Sequence, residues 1–138
     1  MEFAIGAGLA LAVGGMATAI GLDRDRGFYP TVLIVVASYY VLFAVMGASG
    51  QVVMVETVVA GVFLLAALVG FKISPWIVAA ALVGHGVFDF GHAMAIANPG
   101  VPHWWPGFCM AYDVTAGGYV AVLSMRRSGL HAATTGWK

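Results

Sequence analysis

His85, Asp89 and His92 recur at i, i+4 and i+7 in a strongly apolar stretch. On an α-helix, at 100° per residue, they share an arc of about 60° on one face. Imidazole and carboxylate together form the ligand set of zinc and non-haem iron. Two histidines and one carboxylate leave an open position at which chemistry can occur. Two further acids, Glu56 and Asp113, stand in other apolar segments. They suit additional ligands, partners that orient a histidine, or the acid and base of a reaction. His85, Asp89 and His92 are thus candidate ligands for a divalent metal, zinc or iron, and Glu56 and Asp113 candidate catalytic groups.

Two other readings use the same residues. Imidazoles and carboxylates along a helix can carry protons or a cation, as in a transporter or channel. A buried His–Asp pair can also be a hydrogen-bonded plug that locks helices together in a structural or sensory membrane protein.

The elements that position these groups follow from composition. The chain has 138 residues, of which 62% are hydrophobic and only 9% charged. A soluble domain carries about 25% charged residues, so this chain reads as an integral membrane protein. Its formal net charge of zero gives no electrostatic case for nucleic acid. A single cysteine cannot form an internal disulfide. The N-terminal run MEFAIGAGLALAVGG begins with an acid and has no basic region before it, so a retained helix is expected rather than a cleaved signal.

A span needs about 20 apolar residues to cross about 30 Å of hydrocarbon. Five segments qualify: 3–22, 31–49, 52–71, 76–97 and 108–125. They predict an all-α, single-domain, five-span bundle. Asp23-Arg24-Asp25-Arg26 separates the first two, and Gly47 to Gln51 make a short break after the second. Lys72, Ser74 and Pro75 form the third turn. Asn98-Pro99-Gly100 stops the fourth span, because proline cannot continue a helix. The fifth is expected to end at Arg126-Arg127, with a loose polar tail to Lys138.

Charge supports five spans over four. With five, Arg24, Arg26, Lys72, Arg126, Arg127 and Lys138 all fall on one side. The positive-inside rule then puts the C-terminus in the cytoplasm and the N-terminus outside. In that topology Glu56, His92 and Asp113 are expected at similar depth in the outer half of the bilayer, with Asp89 one turn deeper and His85 two. Gly6, Ala10 and Gly14 make a stripe of small residues on the first helix, and Gly117 and Gly118 adjoin on the fifth. Such surfaces let helices approach closely, within the bundle or in a homo-oligomer.

The connecting stretch NPGVPHWWPG, residues 98–107, is rigid and is expected to cap the site, with Trp104 and Trp105 at the membrane interface. His103 is a candidate further ligand, more often simply solvated in such a loop. Cys109 and Met110 suit packing. Tyr39, Tyr40, Tyr112 and Tyr119 read as ordinary membrane aromatics.

An apolar helix carrying Glu56, then His85, Asp89 and His92, then Asn98, Pro99, Pro102 and Pro106, then Cys109 and Asp113, resembles a family of small bacterial integral membrane proteins classed as a domain of unknown function. The likeness is clearest from Trp76 to about Gly118 and carries no activity with it. It implies that these residues act as one site in a bacterial inner-membrane protein. Taken together, the sequence predicts a metal-dependent membrane enzyme that takes a lipid or another apolar small molecule from the outer leaflet.

Overall fold

Hydrocarbon offers the backbone no hydrogen-bond partners, so an apolar run that crosses it must close its own bonds as a helix. The computed structural model, which describes residues 1–135 and side chains as far as Ser128, consists of five helices: α1 (Glu2–Ile20), α2 (Phe28–Gly47), α3 (Gly50–Lys72), α4 (Pro75–Ala95) and α5 (Trp105–Thr135). Each is long and apolar enough to cross a membrane. Among the described residues there is no strand.

Local chemistry sets the breaks. Gly21 ends α1 at φ 77°, a left-handed conformation that lets Leu22 N–H return to the Ala17 carbonyl at 2.8 Å. Ser49 caps α3 by accepting from Val52 N–H, so the break expected over 47–51 contracts to Ala48 and Ser49. Ser74 caps α4 in the same way, with Pro75 in the first turn, where its missing N–H is harmless.

The fifth helix departs most from expectation. It begins at Trp105, taking the end of the aromatic loop into its first turn, and continues past Arg126 and Arg127 to Thr135. Arginine is a good helix former, and a helix already nucleated by a buried span propagates readily through it. The polar tail is thus helical as far as Thr135, and Lys138 lies outside the described residues.

Packing is sequential around α5 and α4. The broadest interface joins α4 to α5; α1 lies along another side of α5, α2 packs on α3, and α3 on α4. The small-residue stripe of α1 is buried against α5, where Gly6 meets the Phe108 carbonyl and Gly14 the ring of Tyr119. That stripe therefore serves packing within the chain. α3 fully buries only Glu56, Ala67 and Gly70, packs Phe63 inward and turns most of its large apolar side chains outward. A helix so shallowly buried contributes little core besides Phe63 and the one acid it carries inward.

The two ends of the bundle differ in charge. Arg26 from the α1–α2 turn, Ser74 from the α3–α4 turn and Arg127 of α5 line one cavity of about 340 Å³. Arg24, Arg26, Lys72, Arg126 and Arg127 thus gather at one end. The other end is formed by the α2–α3 turn and the segment 96–104.

A buried cluster of histidine, aspartate and glutamate

His85, Asp89 and His92 all lie on the buried face of α4, as their spacing predicts. Close approach of α5 is possible there because Gly86 faces the Met110 carbonyl and Val114, and Gly117 faces the Ala79 carbonyl and Val83. Glu56 comes from α3 and Asp113 from α5. Relative exposure is 1% for Glu56, His85 and His92 and 0% for Asp89 and Asp113.

These five residues form two groups. In the first, His85 Nδ1 lies 2.6 Å from Asp113 Oδ2 and 3.3 Å from Asp89 Oδ2. His85, Asp89 and Asp113 each offer a ligand atom, all within 4.8 Å of one another. In the second, His92 Nε2 lies 2.8 Å from Glu56 Oε1, which also accepts from Asn98 Nδ2 at 2.9 Å. Tyr40 of α2 stands between them. Its ring stacks on His92 with centroids 4.0 Å apart, and it lies 6.2 Å from the ring of His85. Phe63 closes the first group, its ring nearly perpendicular to that of His85 with centroids 4.6 Å apart.

The structure thus places Asp113, rather than His92, beside His85 and Asp89. Helix ends explain the difference. α4 stops at Ala95, so His85 lies ten residues, about 15 Å, below that end, and His92 only about 4.5 Å below it. α5 starts at Trp105, so Asp113 is about 12 Å deep and level with His85. The expectation that Asp113 shares the depth of His92 is corrected accordingly. Glu56, about 9 Å into α3, reaches His92.

Hydrogen bonding leaves a pronounced deficit. Among the described residues, Asp89 Oδ1 and Oδ2, Asp113 Oδ1, Glu56 Oε2 and Tyr40 Oη are buried without a hydrogen-bond partner. Nδ1 of His85 carries at most one proton, and the shorter contact assigns it to Asp113. The longer contact, 3.3 Å, leaves Asp89 the more weakly held of the two carboxylates. An unpaired polar group in an apolar interior costs about 1–3 kcal/mol, and a charged one more.

Comparison with family models, curated proteins and solved structures finds no match to this chain. The reading of the site accordingly rests on its geometry.

That geometry suits a cation. A tetrahedral ion with bonds of about 2.1 Å holds its ligand atoms about 3.4 Å apart. The His85–Asp89 separation of 3.3 Å already has that size. The His85–Asp113 contact of 2.6 Å is shorter and is that of a shared proton, which a bound cation would displace. The unpartnered oxygens of Asp89 and Asp113 are available as ligands.

Two polar residues take part beyond what their own patterns show. Asn98 serves as more than a helix stop: besides holding Glu56, its Nδ2 donates to the Tyr40 carbonyl at 3.1 Å, and its Oδ1 accepts from Gly100 N–H at 3.2 Å. Tyr40 is buried at 1%. α2 is apolar all round, so nothing in its pattern distinguishes the buried Tyr40 from its half-buried neighbour Tyr39. The segment over the cluster forms a cavity of about 550 Å³ lined by His92, Asn98, Pro102 and His103. His92 is the only one of the five clustered residues to reach that cavity; the exposed ring of His103 lies outside the ligand group.

Proposed function

We propose that this protein is a metal-dependent membrane enzyme acting on a lipid or another apolar small molecule, with His85, Asp89 and Asp113 holding zinc or iron. One observation carries the reading. Three carboxylate oxygens of Asp89 and Asp113 are buried without a hydrogen-bond partner in a group that also holds an imidazole. A divalent cation supplies the missing partner and offsets both charges. The chemistry such an ion supplies is Lewis-acid polarisation of a substrate oxygen, or redox chemistry where the ion is iron.

In this reading Glu56 and His92 form the acid–base pair. They lie one step toward the 550 Å³ cavity, and Asn98 fixes the glutamate so that it faces His92. Tyr40 links the two groups, its ring stacked on His92 and 6.2 Å from that of His85, and brings a phenolic hydroxyl to the site. A proton pathway is less well supported. Between the cluster and the basic end, the buried residues of α4 are the apolar Val78, Ala79 and Leu82.

The gathering of arginines and Lys72 at the far end favours an orientation with that end in the cytoplasm, the N-terminus outside and the cluster nearer the outer leaflet. A bacterial inner-membrane location, and membership of the family that the motifs resemble, belong to the same proposal.

The test is metal content. Protein purified in mild detergent without affinity-column metal is analysed by elemental methods, alongside His85→Gln and Asp113→Asn. Near-stoichiometric zinc or iron, lost in both folded variants, is expected. Wild type that carries no metal, and gains no thermal stability when zinc or iron is added, overturns the reading.

A further inference from the structure

The cavity of about 340 Å³ at the basic end is remote from the cluster: along α5, Arg127 is about 21 Å beyond Asp113. Two guanidinium groups line it, Arg26 from the α1–α2 turn and Arg127 from α5.

Arg127 is held in place. Its Nη2 donates to the Asp23 carbonyl at 2.9 Å and lies 3.6 Å from Asp23 Oδ1. Asp23 is itself buried at 2% and accepts on Oδ2 from Thr18 Oγ1 at 2.7 Å and Tyr29 Oη at 3.3 Å. One nitrogen of the fork is thereby fixed, and Nε and Nη1 keep their protons for another acceptor. Arg26 forms no ion pair among the described residues. Ser74 Oγ, on the same wall, accepts from Trp76 N–H at 3.3 Å and so keeps its own proton to donate.

The two acids on the wall do not cancel these donors. Asp23 is met by Arg127 and two hydroxyls, whereas Asp25 is exposed to solvent and accepts from Gly27 N–H at 3.1 Å. Arg24, Lys72 and Arg126 add positive charge at the same end without lining the cavity. Surplus donors in a positive field suit an anion with several acceptor oxygens, and guanidinium forks match phosphate in particular.

The rest of the wall indicates what carries the phosphate. From Val120 to Arg127 the α5 side passes from apolar to charged within about 10 Å. Trp76, which also lines the cavity, is 48% exposed, as suits the level of the membrane interface. A phosphate with apolar groups behind it is the head of a phospholipid, and basic pockets between spans take such heads.

We propose that this cavity binds a phosphate group through Arg26 and Arg127, carried by a phospholipid of the leaflet at that end. The site is independent of the metal reading and stands without it.

The experiment titrates the full chain, delipidated in mild detergent, with phosphatidylglycerol, with diacylglycerol of the same chains and with inorganic phosphate. Native mass spectrometry counts bound lipid, and melting curves follow stability. One saturable phosphatidylglycerol per chain is expected, with diacylglycerol at least about tenfold weaker. Arg26→Gln should weaken phosphatidylglycerol about three- to tenfold and leave the lipid-free melting temperature unchanged, because Arg26 has no ion pair to lose. Arg24→Gln, at the same end but outside the cavity, should change binding by less than about twofold. Arg127→Gln also releases Asp23, so it is compared at a temperature where circular dichroism shows it folded, and should weaken phosphatidylglycerol at least as much as Arg26→Gln. Equal losses with Arg24→Gln and Arg26→Gln would mean diffuse attraction to the basic end and overturn the proposal. Phosphatidylglycerol no tighter than diacylglycerol would overturn the assignment to lipid. Inorganic phosphate that then stabilised wild type but not Arg26→Gln would leave a site for the free anion, and no effect of phosphate would remove the site altogether.

Discussion

His85 Nδ1 and Asp113 Oδ2, 28 residues apart, meet at 2.6 Å at the interface of α4 and α5. This is the broadest helix–helix interface in the bundle, and it is built around the only three residues that converge as a ligand group among those described. The most extensive packing and the densest charge therefore coincide. Buried charge placed within a broad helix–helix interface is held in fixed geometry, as a metal site requires.

Asp113→Asn tests that relationship. Asparagine keeps the shape and a hydrogen bond to His85 but removes the negative charge. Metal content should fall at least about tenfold, the scale seen when an orienting or ligating group is lost. Stability without metal should fall by only about 1–2 kcal/mol, because Asp89 Oδ2 is already 3.3 Å from His85 and can take over as its partner. Elemental analysis and detergent-phase melting curves measure the two quantities separately.

Glu56→Leu should give the opposite pattern. It leaves His92 Nε2 without its acceptor and removes one of the two bonds made by Asn98 Nδ2. A loss of about 1–3 kcal/mol is expected. Metal content should stay near wild type, since Glu56 is outside the group formed by His85, Asp89 and Asp113. Loss of metal in this variant would place Glu56 among the ligands and join the two groups into one centre.

How far the sequence discloses this arrangement depends on which force decides each feature. Span number and breaks were legible because lipid imposes them: each apolar run must be helical, and Asn98-Pro99-Gly100 cannot be. That His85, Asp89 and His92 share a face was legible from helical period alone. The partners were not. Whether Asp113 meets His85 or His92 depends on a three-residue difference in where α5 begins, and Trp105-Pro106-Gly107 looks like loop by composition. Tyr40 does not stand out, because a uniformly apolar helix gives no inward face; Asn98 belongs to the site by resemblance, but its bond to Glu56 is not legible, because asparagine before proline is explained already by the turn.

Helix approach offers a further test through small residues on α1. A Cβ on Gly6 would collide with the Phe108 carbonyl, whereas nothing lies within 4 Å of one on Gly8 or Gly15. Gly6→Ala is expected to destabilise by about 1–3 kcal/mol through overpacking, and Gly8→Ala and Gly15→Ala to be neutral or slightly stabilising. Melting temperatures of the three variants in one detergent give the comparison. Equal effects at all three would show that α1 does not pack on α5 through this stripe.

The orientation of the cluster can be read with thiol labelling, because the single native cysteine, Cys109, is buried at 1% and should stay silent to a membrane-impermeant maleimide. Ser49→Cys and His103→Cys introduce exposed thiols at the end near the cluster, Leu22→Cys and Ile73→Cys at the basic end. None of the four adds or removes a Lys, Arg, Asp or Glu. Positions 49 and 103 are expected to label on intact spheroplasts, and positions 22 and 73 only after permeabilisation, if the five basic residues set the orientation as the positive-inside rule has it. The reverse pattern would leave the geometry of the site intact. It would also move the 550 Å³ cavity to the cytoplasmic face, so that any substrate would have to come from the inner leaflet.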